Sequence, residues 1–398
     1  MGIHEDSEHR ATKQAGCAVD LFTSSMSIED RRDERAHWIA LHRAPGIGPK
    51  AFFDLLGRYG SAEAVFAASS MELERCGLGS ETLAFIKAPD WPAVTAAVRW
   101  LREDKHQLIL WSEEAYPPLL RTLSDPPPVL YVIGDPRILA RPQIALVGSR
   151  HPTVTGEETA LEFSRQLALA GWVITSGLAL GIDAAAHRGA LAARGATIAV
   201  SGTGLDLIYP ARNRELALDI QASGGAIVSE LPLGTPAIAR NFPRRNRLIS
   251  GLCLGVVVIE AALRSGSLIT ARCAIEQGRE VFALPGSIHT ALTQGCHGLI
   301  QQGAKLITRV ADILEELNCV LPPPAPVATR TQAPHEACEA LDPDYQSLLH
   351  CMGADPVSVD TLVERSGLTA SAVSSMLLIL ELRGYVGAEA CGVYVRQE

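Results

Sequence analysis

Six short, uninterrupted apolar runs alternate with helical stretches between residues 144 and 284, and this alternation restricts the fold more than any other feature of the chain. The runs fall at 144–148, 172–176, 197–201, 226–229, 254–259 and 280–284, with helical spacing at 157–170 and 184–193. A strand that is apolar at every position has both faces covered. In a chain that alternates strand and helix, that means a parallel sheet wound with helices on both sides. The predicted fold class is therefore α/β, with a doubly wound parallel sheet at its centre. One more strand is expected at 108–111, and a proline-rich connector (Pro117, Pro118, Pro126, Pro127, Pro128) leads from it to the apolar stretch 129–133.

Open parallel sheets bind ligands just beyond the carboxyl ends of their strands, so the loops there are the place to look for function. The first strand ends in Gly148, Ser149 and Arg150. The second ends in Ser176 and Gly177, followed by Gly181, and the third leads past Gly202 and Gly204 to Arg212 and Asn213. After the fourth comes Arg240-Asn241-Phe242-Pro243-Arg244-Arg245-Asn246-Arg247: four arginines in eight residues, no acid among them, in a chain whose net charge is −9. The fifth leads to Ser265, Gly266, Ser267 and Thr270, and the sixth to Gly286 and Ser287. Free amides of small residues at helix starts, together with hydroxyls, form anion cradles. Guanidinium forks match phosphate oxygens and keep their charge at neutral pH. Arginines around an exposed aromatic such as Phe242 are the minimal arrangement for a single nucleic-acid strand, charge following the backbone and the ring stacking on a base. The competing structural reading has the glycines making tight turns and the arginines paired with Glu230 or Glu260. Six such loops on one sheet edge favour a binding groove.

The flanks read differently. Residues 1–34 are polar and aperiodic, an expected disordered lead-in. Region 35–106 is predicted to be a small helical domain with two helix-hairpin-helix-like turns, Pro45-Gly46-Ile47-Gly48-Pro49 and Cys76-Gly77-Leu78-Gly79-Ser80. Such turns either hold one phosphate or simply reverse the chain. The sheet domain is expected over 107–318, an extended proline-rich linker over 319–338, and three helices with a two-strand wing over 339–398. The second helix of the helix-turn-helix in that pattern, running on from Ser371, has no basic residue before Arg383, which favours a protein-contact or regulatory module over a duplex reader. Nine cysteines without a Cys-x-x-Cys pair or Cys/His cluster read as reduced thiols of a cytoplasmic protein, with no metal site and no cofactor. No stretch is apolar for long enough to span a membrane. No nucleophile–base pair stands out; Asp183 and His187 read as ordering a loop and a helix start, so binding and not catalysis is expected.

Taken together, Gly148-Ser149-Arg150, the run Ser-Gly-Leu-Ala-x-Gly-Ile-Asp at 176–183, Gly202-Thr203-Gly204 through Tyr209-Pro210, Phe242 to Ile249, and Ser265 to Ala271 resemble the DprA/Smf family of DNA-processing proteins. The resemblance runs from residue 36 to the end of the chain. It implies a Rossmann-like sheet domain, an N-terminal SAM or helix-hairpin-helix-like domain, and a C-terminal winged-helix-like domain. It also implies binding of single-stranded DNA, homodimers, and loading of the RecA recombinase on incoming strands during natural transformation and recombination. Carried onto this chain, it places backbone phosphates near Gly148, Ser149 and Arg150, with the loop glycines Gly177 and Gly181 beside them. The strand would continue past Arg212, Asn213, Arg244, Arg245, Asn246 and Arg247, with Phe242 beside a base. Ser265, Gly266, Ser267 and Thr270 would lie beneath, and Lys305 completes the set. Two positions depart from the family pattern: Leu180, where Arg or Lys is usual, and Cys296-His297-Gly298, where Gly-x-Asn is usual. The main alternative is a nucleotide phosphoribohydrolase of the lysine-decarboxylase-like group, whose loop glutamate has no counterpart after Thr270 before Glu276. A nicotinamide dehydrogenase would need G-x-G-x-x-G after the first strand, and the chain has Gly148-Ser149-Arg150-His151-Pro152-Thr153.

Overall fold

Each of the six apolar runs is a strand within one residue of its expected bounds: β3 (Gln143–Gly148), β4 (Val173–Ser176), β5 (Thr197–Val200), β6 (Ala226–Ser229), β7 (Gly255–Ile259) and β8 (Glu280–Ala283). The computed structural model describes residues 34–318, 343–352, 357–382, 386–389 and 393–396. The predicted lead-in before Glu34 and the linker 319–338 lie outside these. The chain divides at residues 322 and 323 into two units. In the first, β1 (His106–Leu110), β2 (Val129–Gly134) and a short β9 (Lys305–Leu306) complete a nine-stranded sheet in the order β1-β2-β6-β5-β4-β3-β7-β8-β9. The strands from β6 to β9 run parallel. By contrast, β1 and β2 are antiparallel additions, β2 pairing with β6. The sheet is thus mixed at one edge. The chain builds outward from β3 through β4, β5 and β6, then returns to place β7 against β3 from the other side. That reversal opens a crevice between the carboxyl ends of β3 and β7.

Alternate residues of each strand feed opposite cores. Ile144, Leu146, Ile174, Val257 and Ile259 pack under α8 (Val154–Leu169), α9 (Ile182–Ala192) and α14 (Val310–Asn318). Ala145, Val147, Val173, Val256 and Val258 pack under α11 (Asn241–Leu252) and α12 (Ser267–Glu276), with Leu120 of α7 (Pro118–Arg121) and Leu299 of α13 (Gln294–Gln301). Between β5 and β6 lies α10 (Arg214–Ala222).

Six helices precede the sheet: α1 (Glu34–Arg43), α2 (Pro49–Tyr59), α3 (Ala62–Ala67), α4 (Ser70–Arg75), α5 (Ser80–Lys87) and α6 (Trp91–Trp100). They form both expected helix-turn-helix hairpins. Thr82 of the second hairpin donates to the Pro45 carbonyl at 2.7 Å, and its hydroxyl lies 3.1 Å from where a Cβ on Gly46 (φ +75°) would stand. The first glycine turn is thereby packed against the second hairpin. These helices rest on β1, β2 and β6 through Trp38, Phe52, Leu108, Tyr131 and Ile227. His42 Nε2 meets the Glu230 carbonyl at 2.7 Å, and Arg43 donates to the Leu233 carbonyl.

The second unit contains α15 (Pro343–Met352), β10 (Val357–Ser358), α16 (Val359–Ser366), α17 (Ala370–Leu382) and a hairpin of β11 (Val386–Glu389) and β12 (Val393–Arg396). Thr369 caps α17 by accepting from Ala372 N. Three helices and a wing are as the sequence leads one to expect.

Candidate nucleic-acid interface

A cavity of about 700 Å³ opens in the β3/β7 crevice. Gly148, Ser149 and Arg150 form one side, residues 262–270 another, and the inward face of α11 a third. Close approach makes the first wall: a Cβ on Gly148 would stand 1.9 Å from the Ile259 carbonyl, so only glycine lets β3 and β7 end side by side. Gly181 (φ +75°) is held as tightly: a Cβ there would stand 2.4 Å from the Ser149 carbonyl, which accepts from Ile182 N.

The arginine run is helical, and helical spacing distributes it. Phe242, Arg245, Asn246 and Ile249 share the face that lines the cavity. Arg244 and Arg247 turn to the opposite face and meet Glu230, which is 2% exposed. Arg247 pairs with Glu230 Oε2 and, at 3.2 Å, with Asp125 Oδ2, and also donates to the Asp125 carbonyl. Arg244 keeps its guanidinium 3.2 Å from Glu230 Oε1 and is half-exposed. Burial pushes the Glu230 carboxyl upward, and Arg247 and Arg244 oppose that shift.

Arg245 is buried yet reaches the cavity wall. It donates to the Gly177 and Val200 carbonyls. Its guanidinium and the Asp183 carboxylate flank Gly177, each 2.7 Å from where a Cβ would be. Burial lowers the Arg245 pKa to about 10, with Asp183 opposing. Burial likewise raises Asp183, which accepts from Gly177 N and Ala179 N.

Two rings stand at the mouth. Tyr209 and Phe242 are 5.4 Å apart at 46°, and the Arg150 and Arg245 guanidiniums lie 6.0 and 5.9 Å from the Phe242 ring. Across from them, the hydroxyls of Ser265 and Ser267 pair at 2.7 Å, Asn246 donates to the Gly266 carbonyl, and Thr270 is one turn further along α12. The lining holds three arginines (Arg150, Arg245, Arg264) against one acid, Asp183.

Of the residues singled out in the sequence, the cavity gathers Gly148, Ser149, Arg150, Phe242, Arg245, Asn246, Ser265, Gly266, Ser267 and Thr270. Gly177 and Gly181 support its walls from behind. Arg212 is exposed on a short turn outside the lining. Asn213 is buried, its amide donating to the Leu178 and Ala179 carbonyls. Arg244 and Arg247 face Glu230, and Lys305 pairs with Glu316 on the edge strand β9. Helix rotation moves the two arginines away, and strand order separates Lys305 from β3. His297 is tied to Gly286, with its Nε2 3.0 Å from that carbonyl, and Leu180 is not part of the lining. Sequence reading passed over Arg264, one residue before Ser265, and named Tyr209 only as part of the run ending Tyr209-Pro210, without a binding role. Among the described residues no group of three His, Cys, Asp or Glu could hold a metal ion, and no helix is long and apolar enough to cross a membrane.

Comparison with known proteins gives the same picture. A family model described as DNA recombination-mediator protein A matches residues 107–318; a DprA-like N-terminal HHH domain matches 32–69 and the DprA winged helix domain 331–390. Protein Smf of Escherichia coli (strain K12) is 47% identical over 306 residues, covering 76% of this chain and 81% of the relative. Protein Smf of Synechocystis is 35% identical over 399 residues, covering 92% and 99%. The X-ray structure of DNA processing protein A from Streptococcus pneumoniae superposes with a TM-score of 0.56 at 37% identity, covering 71% of this chain and 97% of that one. With its fold, its domain models and relatives along most of its length in agreement, the chain belongs to the DprA/Smf family of DNA-processing proteins.

Proposed function

We propose that the β3/β7 cavity holds single-stranded DNA. Arg150 and Arg264 would meet backbone phosphates at the exposed mouth, the Phe242–Tyr209 pair would stack against a base, and the hydroxyl-bearing turn 265–267 with buried Arg245 would form the floor. The observation that carries this reading is the local excess of arginines beside two rings in a chain of net charge −9. Mixed cationic and aromatic walls suit a strand whose bases are unstacked, because every base offers a π-face. Neither Arg244 nor Arg247 is needed on the strand in this reading. By the family resemblance, the bound strand is then passed to the RecA recombinase by a homodimer in the cytoplasm, and the role is binding and delivery without catalysis.

The deciding experiment is a titration of the full chain with labelled dT oligomers, duplex DNA and AMP. Tight dT binding that weakens steeply with salt supports the proposal. Preference for AMP, or binding that ignores salt, would instead point to a nucleotide-processing enzyme. The RecA step is tested by whether the chain speeds RecA filament formation on DNA already coated with a single-strand-binding protein.

A further inference from the structure

The turn that follows β7 presents a carboxylate that the cavity does not use. Glu260 has a positive φ of 51°. Its side chain crosses to the start of α8, where Oε2 accepts from Thr153 N at 2.8 Å and Oε1 accepts from the Thr153 hydroxyl. Thr153 in turn caps α8, its hydroxyl oxygen accepting from Gly156 N at 3.0 Å. Gly156 is bare because the carboxylate fills the space beside it: a Cβ there would lie 2.4 Å from Cδ and 2.6 Å from each oxygen. Since α8 follows β3, the first strand of the parallel set, its start is the place where a doubly wound fold holds the phosphate of a nucleotide. Here an acid from the chain itself stands in that position.

We propose that Glu260 is a specificity-determining residue: its carboxylate takes the anion position at the start of α8, so the crevice admits a polynucleotide backbone along Arg150 and Arg264 and turns away a free nucleotide phosphate. The proposal rests on the strand-binding reading above. An incoming phosphate would have to displace a carboxylate already holding an N–H and an O–H, or settle beside a like charge, and both are unfavourable.

The test compares the unaltered full chain with Glu260→Ala and Glu260→Gln, reading anisotropy of a labelled dT oligomer and of a fluorescent AMP, with urea melts to check folding. Glu260→Ala is expected to bind AMP about tenfold more tightly than the unaltered chain, because it loses the like charge and frees the Thr153 N–H. Glu260→Gln keeps the volume and can still accept from Thr153 N, so its gain should be smaller, roughly threefold, from loss of charge alone. Unchanged AMP affinity in both folded variants overturns the proposal, as does AMP binding as tight as dT binding in an unaltered chain that does bind dT. If Glu260→Ala does not fold, the glutamine variant decides: a gain supports exclusion by charge and no gain overturns it. Failure of the unaltered chain to bind dT, together with an AMP gain in Glu260→Ala, would sink the strand reading and leave the role of Glu260 standing.

Discussion

A guanidinium already engaged by two acids has little left to offer a phosphate, and Arg247 is in that position, with Glu230 on one side and Asp125 on the other. Removing it leaves the nearly enclosed Glu230 short of a counter-charge. Arg247→Ala is therefore expected to lower stability by about 3–5 kcal/mol, the usual cost of breaking a buried pair, as urea melts would show. Arg150 and Arg264 are exposed and make no ion pair within 4 Å among the described residues. Arg150→Ala and Arg264→Ala should change stability by no more than about 0.5 kcal/mol. Each should instead flatten the log–log dependence of dT affinity on salt by roughly 0.7, one phosphate contact on a single strand. Phe242→Ala should weaken dT binding by about 1–3 kcal/mol if the ring stacks on a base, measured by anisotropy at fixed salt. An unchanged dT affinity would reassign Phe242 to the packing of Tyr209 and Gly202.

At the scale of elements, α11 explains both what the sequence revealed and what it hid. The strands were legible because each is a short apolar run bounded by small residues, and burial on both faces leaves little else such a run can be. Direction was not legible for β1 and β2, since the apolar pattern of a strand reads the same in either orientation. The two-residue β9 is too short to leave a pattern. In α11, Asn241, Pro243, Asn246 and four arginines in or beside the first two turns look like a loop, yet Pro243 lies in the first turn, where no intrahelical N–H partner is lost. Once that stretch is a helix, its arginines must divide between two faces, which a linear reading could not show. Ser265 to Thr270 and Gly148 to Arg150 were legible as walls of one crevice because strand ends in a wound sheet converge. The glycines at these ends differ in what they permit. Gly148→Ala is expected to destabilise the fold by about 1–3 kcal/mol or more through the clash with the Ile259 carbonyl. Gly266→Ala, at φ −63° with nothing within 4 Å of the added carbon, should shift the urea midpoint hardly at all, within about 0.5 kcal/mol.

Across the whole first unit, polar contacts join parts that the chain order keeps apart. The helical hairpins reach the loop after β6 through His42 and Arg43, and that same loop supplies Ala237 and Ala239 to the cavity lining. A second such tie, His187, makes stability depend on pH. Its Nδ1 lies 2.7 Å from the Thr197 hydroxyl, which spends its own hydrogen on the Ile174 carbonyl. The hydroxyl must therefore accept from Nδ1–H, leaving Nε2 deprotonated, fully enclosed and without a hydrogen-bond partner. Burial, with Arg245 adding to it, lowers the His187 pKa from 6.5 to about 3. The unfolded chain binds this proton below pH 6.5 and the folded chain does not until about pH 3. Stability is accordingly complete above pH 6.5 and is lost as the pH falls, by up to about 1.4 kcal/mol per pH unit from this one group. Asp183 and Glu230, both raised by burial, contribute with the opposite sign, so the total slope is not a clean measure of His187. Comparison with His187→Asn removes them, since both carboxyls are present in each protein. Urea unfolding between pH 7 and pH 4.5 should give a shallower fall in stability for the variant than for the unaltered chain, the difference opening only below about pH 6.5. Parallel curves would mean that His187 takes up its proton at the same pH in the folded chain as in the unfolded one, so that burial does not hold the ring neutral.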